Sequence, residues 1–212
     1  MKKVLIWIIA FLPLIATAVL YPSLPETVPT HWNIQGEIDG WGSRSTLFIT
    51  AVLSPILCLG MQFLPKIDPK RENYKKFTKG YFTLQVCLVL FFALMQGIIL
   101  YASSYNSSLN ITRITLCGMG LLFCVIGNFM PKFRHNYFCG FRTPWTLASE
   151  TVWDKTHRFG GALWFWAGLI AFVGSLFLPI EVSYSVFFVV IMSSSLATLG
   201  YSWWIWKKEQ TK

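Results

Sequence analysis

The sequence predicts an all-α fold: a polytopic membrane protein with six transmembrane helices and both termini in the cytoplasm. Three observations carry this. Of 212 residues, 54% are hydrophobic and only 13% are charged, whereas a soluble domain carries about 25% charged residues. The mean hydropathy is +0.52. The charges also avoid six blocks of the chain, each long enough to cross a hydrocarbon core that needs about 17–25 apolar residues.

The first block is Val4–Leu20. It follows Lys2 and Lys3 and holds Ala16-Thr17-Ala18, so it also imitates a signal peptide with an A-x-A cleavage site. Two readings stand: a retained first span, or residues 1–18 removed with five spans left. Residues 21–45 form an outer loop dense in turn formers, with Pro22, Pro25, Pro29, Gly36 and an Asp39-Gly40 turn signal. The second block, Thr46–Leu64, carries Pro55 as the first carries Pro13, and each proline predicts a kink. These elements make an N-terminal two-helix unit over 1–64.

A basic cytoplasmic loop follows over 65–80, then a four-helix unit over 81–212. Its spans are Tyr81–Ala102, Ile114–Met130, Ala162–Leu178 and Tyr184–Trp206, with a cytoplasmic loop at 131–161. The short loop after the third span holds two glycosylation-type triplets, starting at Asn106 and Asn110. Gly118, Gly120, Gly127, Gly168 and Gly174 predict closely packed helices.

Orientation follows from the bases, which are retained on the cytoplasmic side of short loops. The termini, loop 65–80 and loop 131–161 together hold 16 of the 18 Lys and Arg residues, leaving Arg44 and Arg113 outside. The bases are spread over four segments rather than gathered in one patch, which speaks against direct nucleic-acid binding. Membrane lipids are the partner that this asymmetry implies. Cys58, Cys87, Cys117 and Cys124 fall in spans and Cys139 in an inner loop, so none stands where an oxidising milieu would favour pairing. No span holds Asp, Glu, Lys, Arg or His, which counts against ion-coupled transport.

Two polar-aromatic loops remain as candidate sites. In the inner one, Ser149 is placed as the N-cap of a helix carrying Trp153, His157 and Trp164 along one stripe. One reading is an entry helix whose tryptophans anchor it at the membrane surface. The other is a binding loop, because Asn136, Gly140, Arg142, Thr143, Pro144, Trp145 and Thr146 supply donors, acceptors and a rigid turn. Such groups suit a carboxylate, a phosphate or a peptide backbone. In the outer loop His31, Trp32, Asn33, Asp39 and Trp41 form the second candidate. Catalysis fits poorly: HExxH, CxxC, G-x-S-x-G and a phosphate-binding glycine loop are all missing. No cofactor is implied, and neither His157 with Asp154 nor His31 with Glu37 and Asp39 supplies a convincing metal set.

The residues Asn136, Gly140, Arg142-Thr143-Pro144-Trp145-Thr146-Leu147, Trp153 and Thr156-His157 resemble the signature of the SdpI/YfhL family of bacterial integral membrane immunity proteins. The outer-loop residues Leu24-Pro25, Val28-Pro29, His31, Asn33, Gly36 and Asp39-Gly40-Trp41 resemble the domain of unknown function that usually precedes it. That resemblance implies a bacterial cell membrane location and protection of the producing cell from a secreted membrane-active toxic peptide. In the founding system it also implies a cytoplasmic DNA-binding autorepressor held at the membrane, a role that the motif itself does not carry. The rival class is a small-molecule or lipid transporter using the same loop to grip a headgroup.

Overall fold

A computed structural model describes residues 2–105 and 109–211. Among these, six helices are long and apolar enough to cross a membrane, and the chain is a multi-pass all-α membrane protein. The triplet beginning at Asn106 lies outside the described residues. The crossings are α1 (Lys2–Leu20), the pair α2 (Leu47–Ala51) and α3 (Leu53–Ile67), α4 (Thr78–Ser104), α5 (Ile111–Phe129), α7 (Glu150–Phe177) and α8 (Ile180–Gln210). A short helix, α6 (Pro144–Ala148), precedes α7.

The two prolines behave differently. Pro55 has no N–H to return to the Ala51 carbonyl, and the second crossing is interrupted nearby, at Val52. Pro13 sits inside an unbroken α1, and the Pro13 carbonyl accepts from Thr17 Oγ1 at 2.8 Å. Apolar side chains such as Ile8, Ile49 and Phe177 point outward, as a hydrocarbon solvent allows.

Packing is closest where α5 meets α7. A Cβ built on Gly120 would stand 2.7 Å from Phe172 N, and one on Gly168 would stand 2.6 Å from Cys124 N. Gly127 and Gly161 face one another a turn or two further along, so each helix lays its backbone into the groove of the other. Helix α4 packs against α1 and α3 on one side and α5 on the other.

The loop at 21–45 is more ordered than its turn-rich composition predicts. It folds as an antiparallel hairpin of β1 (Thr27–Trp32) and β2 (Ile38–Ser43). Asp39-Gly40 is not the turn. Gly40 lies within β2 opposite His31, beside register irregularities in β1, where a Cβ would meet His31 Cβ at 2.8 Å. The chain reverses instead over Asn33–Glu37, with Gly36 at φ +86°. Asn33 Oδ1 accepts from Glu37 N, and Asn33 Nδ2 donates to Glu37 Oε2, so one asparagine closes the turn.

This turn is fastened to α5 by two bonds, Thr112 Oγ1 to Asn33 O and Asn110 Nδ2 to Gln35 O. Both arginines at the hairpin end are used on carbonyls. Arg44 donates to Tyr21 O and Leu24 O, and Arg113 donates to Ser175 O and Leu178 O at the end of α7.

Candidate functional site

The inner candidate loop is built from within. Asn136 is fully buried. Its Nδ2 donates to Arg134 O and Cys139 O, and its Oδ1 accepts from Phe138 N and Cys139 N. Every hydrogen-bonding position of the amide is therefore engaged in shaping its own loop. Gly140 follows at φ +114°, where a Cβ would collide with His157 Nε2. The left-handed backbone and the missing side chain are both required there.

His157 lies one to two turns into α7, fully buried. Its Nε2 accepts from Phe141 N at 3.0 Å, so the ring proton is on Nδ1, which donates to Trp153 O at 2.8 Å. The imidazole stacks on Trp153 with centroids 3.9 Å apart and planes 19° from parallel. Trp153 is itself fully buried, and its indole N–H donates to Phe133 O. The anchoring role at a membrane surface is thus corrected for Trp153: its ring sits under the loop, because a backbone carbonyl and an imidazole face are there to receive it.

Thr143 and Pro144 do more than end a segment. Thr143 is the N-cap of α6, with Pro144 at the first helical position, where its missing N–H costs nothing. Thr143 Oγ1 accepts from Thr146 N, and Thr146 Oγ1 accepts from Thr143 N, a reciprocal capping box. Ser149 caps α7 as the sequence predicts, accepting from Val152 N. Thr156 is also buried, and its hydroxyl has no partner among the described residues.

Of the ten inner candidates, five are thus buried structural groups: Asn136, Thr146, Trp153, Thr156 and His157. Arg142 and Pro144 are exposed and Trp145 is half-buried, so these three present the loop to solution. One guanidinium nitrogen of Arg142 donates to Tyr137 O at 3.2 Å.

The support for this loop comes from residues that the sequence did not single out. Asp68, 2% exposed, accepts from Lys70 N, Tyr137 N and the Tyr74 hydroxyl. Asn73 Nδ2 donates to His135 O. Lys70 Nζ lies 2.7 Å from His135 Nδ1; an ammonium only donates, so the imidazole accepts there. Burial, then the Lys70 charge, hold His135 below the usual histidine range. Burial pushes the Cys139 thiol up to about 11. Segments 68–74 and 133–142 therefore form one interlocked cap. The available signal was a lone aspartate at the end of a span within a basic stretch, too common a pattern to read.

The outer candidates divide in the same way. His31 Nδ1 stands 2.5 Å from Asp39 Oδ1 across the hairpin, and both side chains are exposed. Asn33 closes the turn. Trp41 is exposed at 61%, and Trp32 is half-buried above clefts that open between α4, α5 and α8. Among the described residues, no group of three or more His, Cys, Asp or Glu is placed to hold a metal ion.

With this geometry in view, comparison with known proteins is informative. Residues 132–202, which hold the interlocked loop, match the SdpI/YfhL protein family model. Residues 8–54, which hold the hairpin, match a domain of unknown function, DUF1648. The chain is 28% identical over 199 residues to the protein named Immunity protein SdpI of Bacillus subtilis (strain 168), covering 94% of this chain and 93% of that one. No solved structure matches the chain.

Proposed function

We propose that this protein is an immunity protein, protecting the cell that makes it from a secreted membrane-active toxic peptide. The observation that carries this is the near full-length similarity to a protein of that name, with the hairpin region and the interlocked loop region in the same chain. In this reading the hairpin faces the exterior and the loop containing Arg142 faces the cytosol, in keeping with the distribution of Lys and Arg.

The peptide is met first by the hairpin, through His31, Trp32, Asn33, Asp39 and Trp41, and then by the helix bundle below. The cytosolic loop has a different task. Its buried members fix its shape, and the exposed Arg142, Pro144 and Trp145 offer a surface on which a cytoplasmic DNA-binding repressor is held while peptide is present.

Expression in a sensitive strain tests the first part: protection from the killing peptide is expected, and unchanged killing defeats the immunity reading. For the second part, Arg142→Ala at normal membrane levels is expected to keep protection and to lose co-purification of the repressor. Retained co-purification removes the loop from signalling.

A further inference from the structure

A groove of about 910 Å3 runs between the start of α7 and the end of α8. Three contacts set the level of one helix against the other. Ser183 Oγ donates to Gly174 O, Phe159 stacks on Tyr201 with centroids 4.2 Å apart, and Ser149 Oγ donates to Glu209 Oε2. The groove opens between the last two of these levels. Glu150, Asp154, Lys155 and Arg158 line it from α7, and Tyr201 and Trp204 line it from α8.

Both helices leave their apolar stretches here. Arg158 is the last charged residue of α7, and Lys207 is the first charged residue of α8 after Glu181. Tyr201 and Trp204 stand at the same level, as aromatic residues do where a membrane meets water. The placement holds whichever side of the membrane this end occupies.

Charge is ordered along the groove. Counted from Arg158 toward the water, Lys155 lies about 4.5 Å along α7, Asp154 about 6 Å and Glu150 about 12 Å, at ~1.5 Å per residue. Among the described residues no side-chain hydrogen bond or ion pair engages Lys155 or Arg158, and the Tyr201 hydroxyl and Trp204 indole N–H are unpaired too. The acids are held only loosely. Asp154 Oδ2 lies 3.5 Å from Arg134 Nη1 and Glu150 Oε1 lies 3.9 Å from Lys70 Nζ, which leaves Asp154 Oδ1 and Glu150 Oε2 unused.

Such a groove suits a ligand that is anionic at the membrane border and cationic further out. A phosphodiester only accepts, and neighbouring bases suit its oxygens. A primary ammonium beyond it only donates, which is what carboxylates take.

We propose that this groove seats a phospholipid of the phosphoethanolamine class. Its phosphate lies against Arg158 and Lys155, and its ammonium reaches Asp154 and Glu150. An acyl chain descends past Ala162 and Ala197, which are short, exposed and on the same helix faces as Arg158 and Trp204. A glycerol headgroup offers the carboxylates no cation, a choline offers them no N–H, and a serine headgroup sets a further carboxylate beside them. The assignment does not depend on the immunity reading.

The test is native mass spectrometry of the full-length protein in detergent, titrated with dioleoyl phospholipids bearing ethanolamine, glycerol or choline headgroups. The ethanolamine lipid is expected to bind about tenfold more tightly than the other two. Lys155→Gln combined with Arg158→Gln is expected to weaken it about tenfold, the equivalent of roughly one charge-assisted hydrogen bond. Glu150→Gln combined with Asp154→Asn is expected to keep binding of the glycerol lipid and to abolish the preference for ethanolamine over it. Lys79→Ala, at an exposed base near the start of α4, is expected to change nothing. Soluble phosphoethanolamine, lacking acyl chains, is expected not to compete at equal concentration.

Equal binding of the three lipids by wild type overturns the proposal, and so does a loss with Lys79→Ala as large as that with the paired glutamines. An ethanolamine preference that survives Glu150→Gln with Asp154→Asn overturns the assigned headgroup. Competition by soluble phosphoethanolamine at equal concentration overturns the lipid as its source. All four positions are exposed; should either pair fail to accumulate, Arg158→Gln and Asp154→Asn alone decide.

Discussion

His157→Phe separates shape from contact in the loop over residues 131–161. Phenylalanine keeps a flat ring against Trp153 but offers no nitrogen. Phe141 N–H loses its acceptor and Trp153 O its side-chain donor. Losing two neutral hydrogen bonds costs about 0.5–1.5 kcal/mol each, and a donor left buried adds about 1–3 kcal/mol. A local loss of about 3 kcal/mol follows, which multiplies the open population of the loop by roughly a hundred, at 1.4 kcal/mol per factor of ten.

Cys139 reports that opening. It lies between Asn136 and Gly140, half-buried, and burial holds its thiol up at about 11, so little of it is the reactive thiolate until the loop opens. The assay is the rate of alkylation by a small maleimide in nanodiscs, followed by mass spectrometry of the peptide containing Cys139. A rate rising by one to two orders of magnitude is expected. An unchanged rate would show that His157 does not hold the loop.

Three further outcomes are expected. Arg142→Ala, at an exposed position, should leave thermal stability within about 0.5 kcal/mol of wild type, measured by unfolding in the same nanodiscs. Gly168→Ala should destabilise by about 1–3 kcal/mol or more through overpacking, seen as a lower Tm or reduced membrane accumulation, because its Cβ has no space between Cys124 N and Gly120 O. Acidification should weaken the cap around His135. Its folded-state value is depressed below 6.5, so the unfolded chain binds more protons and stability falls as pH drops through the ordinary histidine range. The Tm of wild type should fall more between about pH 7.5 and 5.5 than that of His135→Gln; equal slopes would remove His135 from the effect.

Much of the architecture was legible because the bilayer imposes one dominant rule, that charge avoids the spans. Six uncharged blocks located six crossings, and Ser149 announced the start of α7 through cap chemistry. The hairpin was hidden because its strands are short and interrupted by Pro29, Gly40 and Gly42, with little alternation to read. Asp39-Gly40 misled because a two-residue turn signal is also what a close strand crossing needs. The loop residues Asn136 and His157 were found, but whether they touch a partner or each other is a question of burial. That depended on Asp68 and Tyr74, over sixty residues away.

The use of Arg44 and Arg113 as carbonyl caps has an electrostatic corollary. Four exposed carboxylates at the hairpin end, Glu26, Glu37, Asp39 and Glu181, outnumber the half-buried guanidiniums of Arg44 and Arg113, so the rim that meets approaching solutes is net negative. A cationic visitor is drawn toward that rim and an anionic one slowed. Such guidance fades beyond a Debye length of about 8 Å at physiological ionic strength. Added salt should therefore blunt the capture rate of a basic peptide while leaving its final seat untouched.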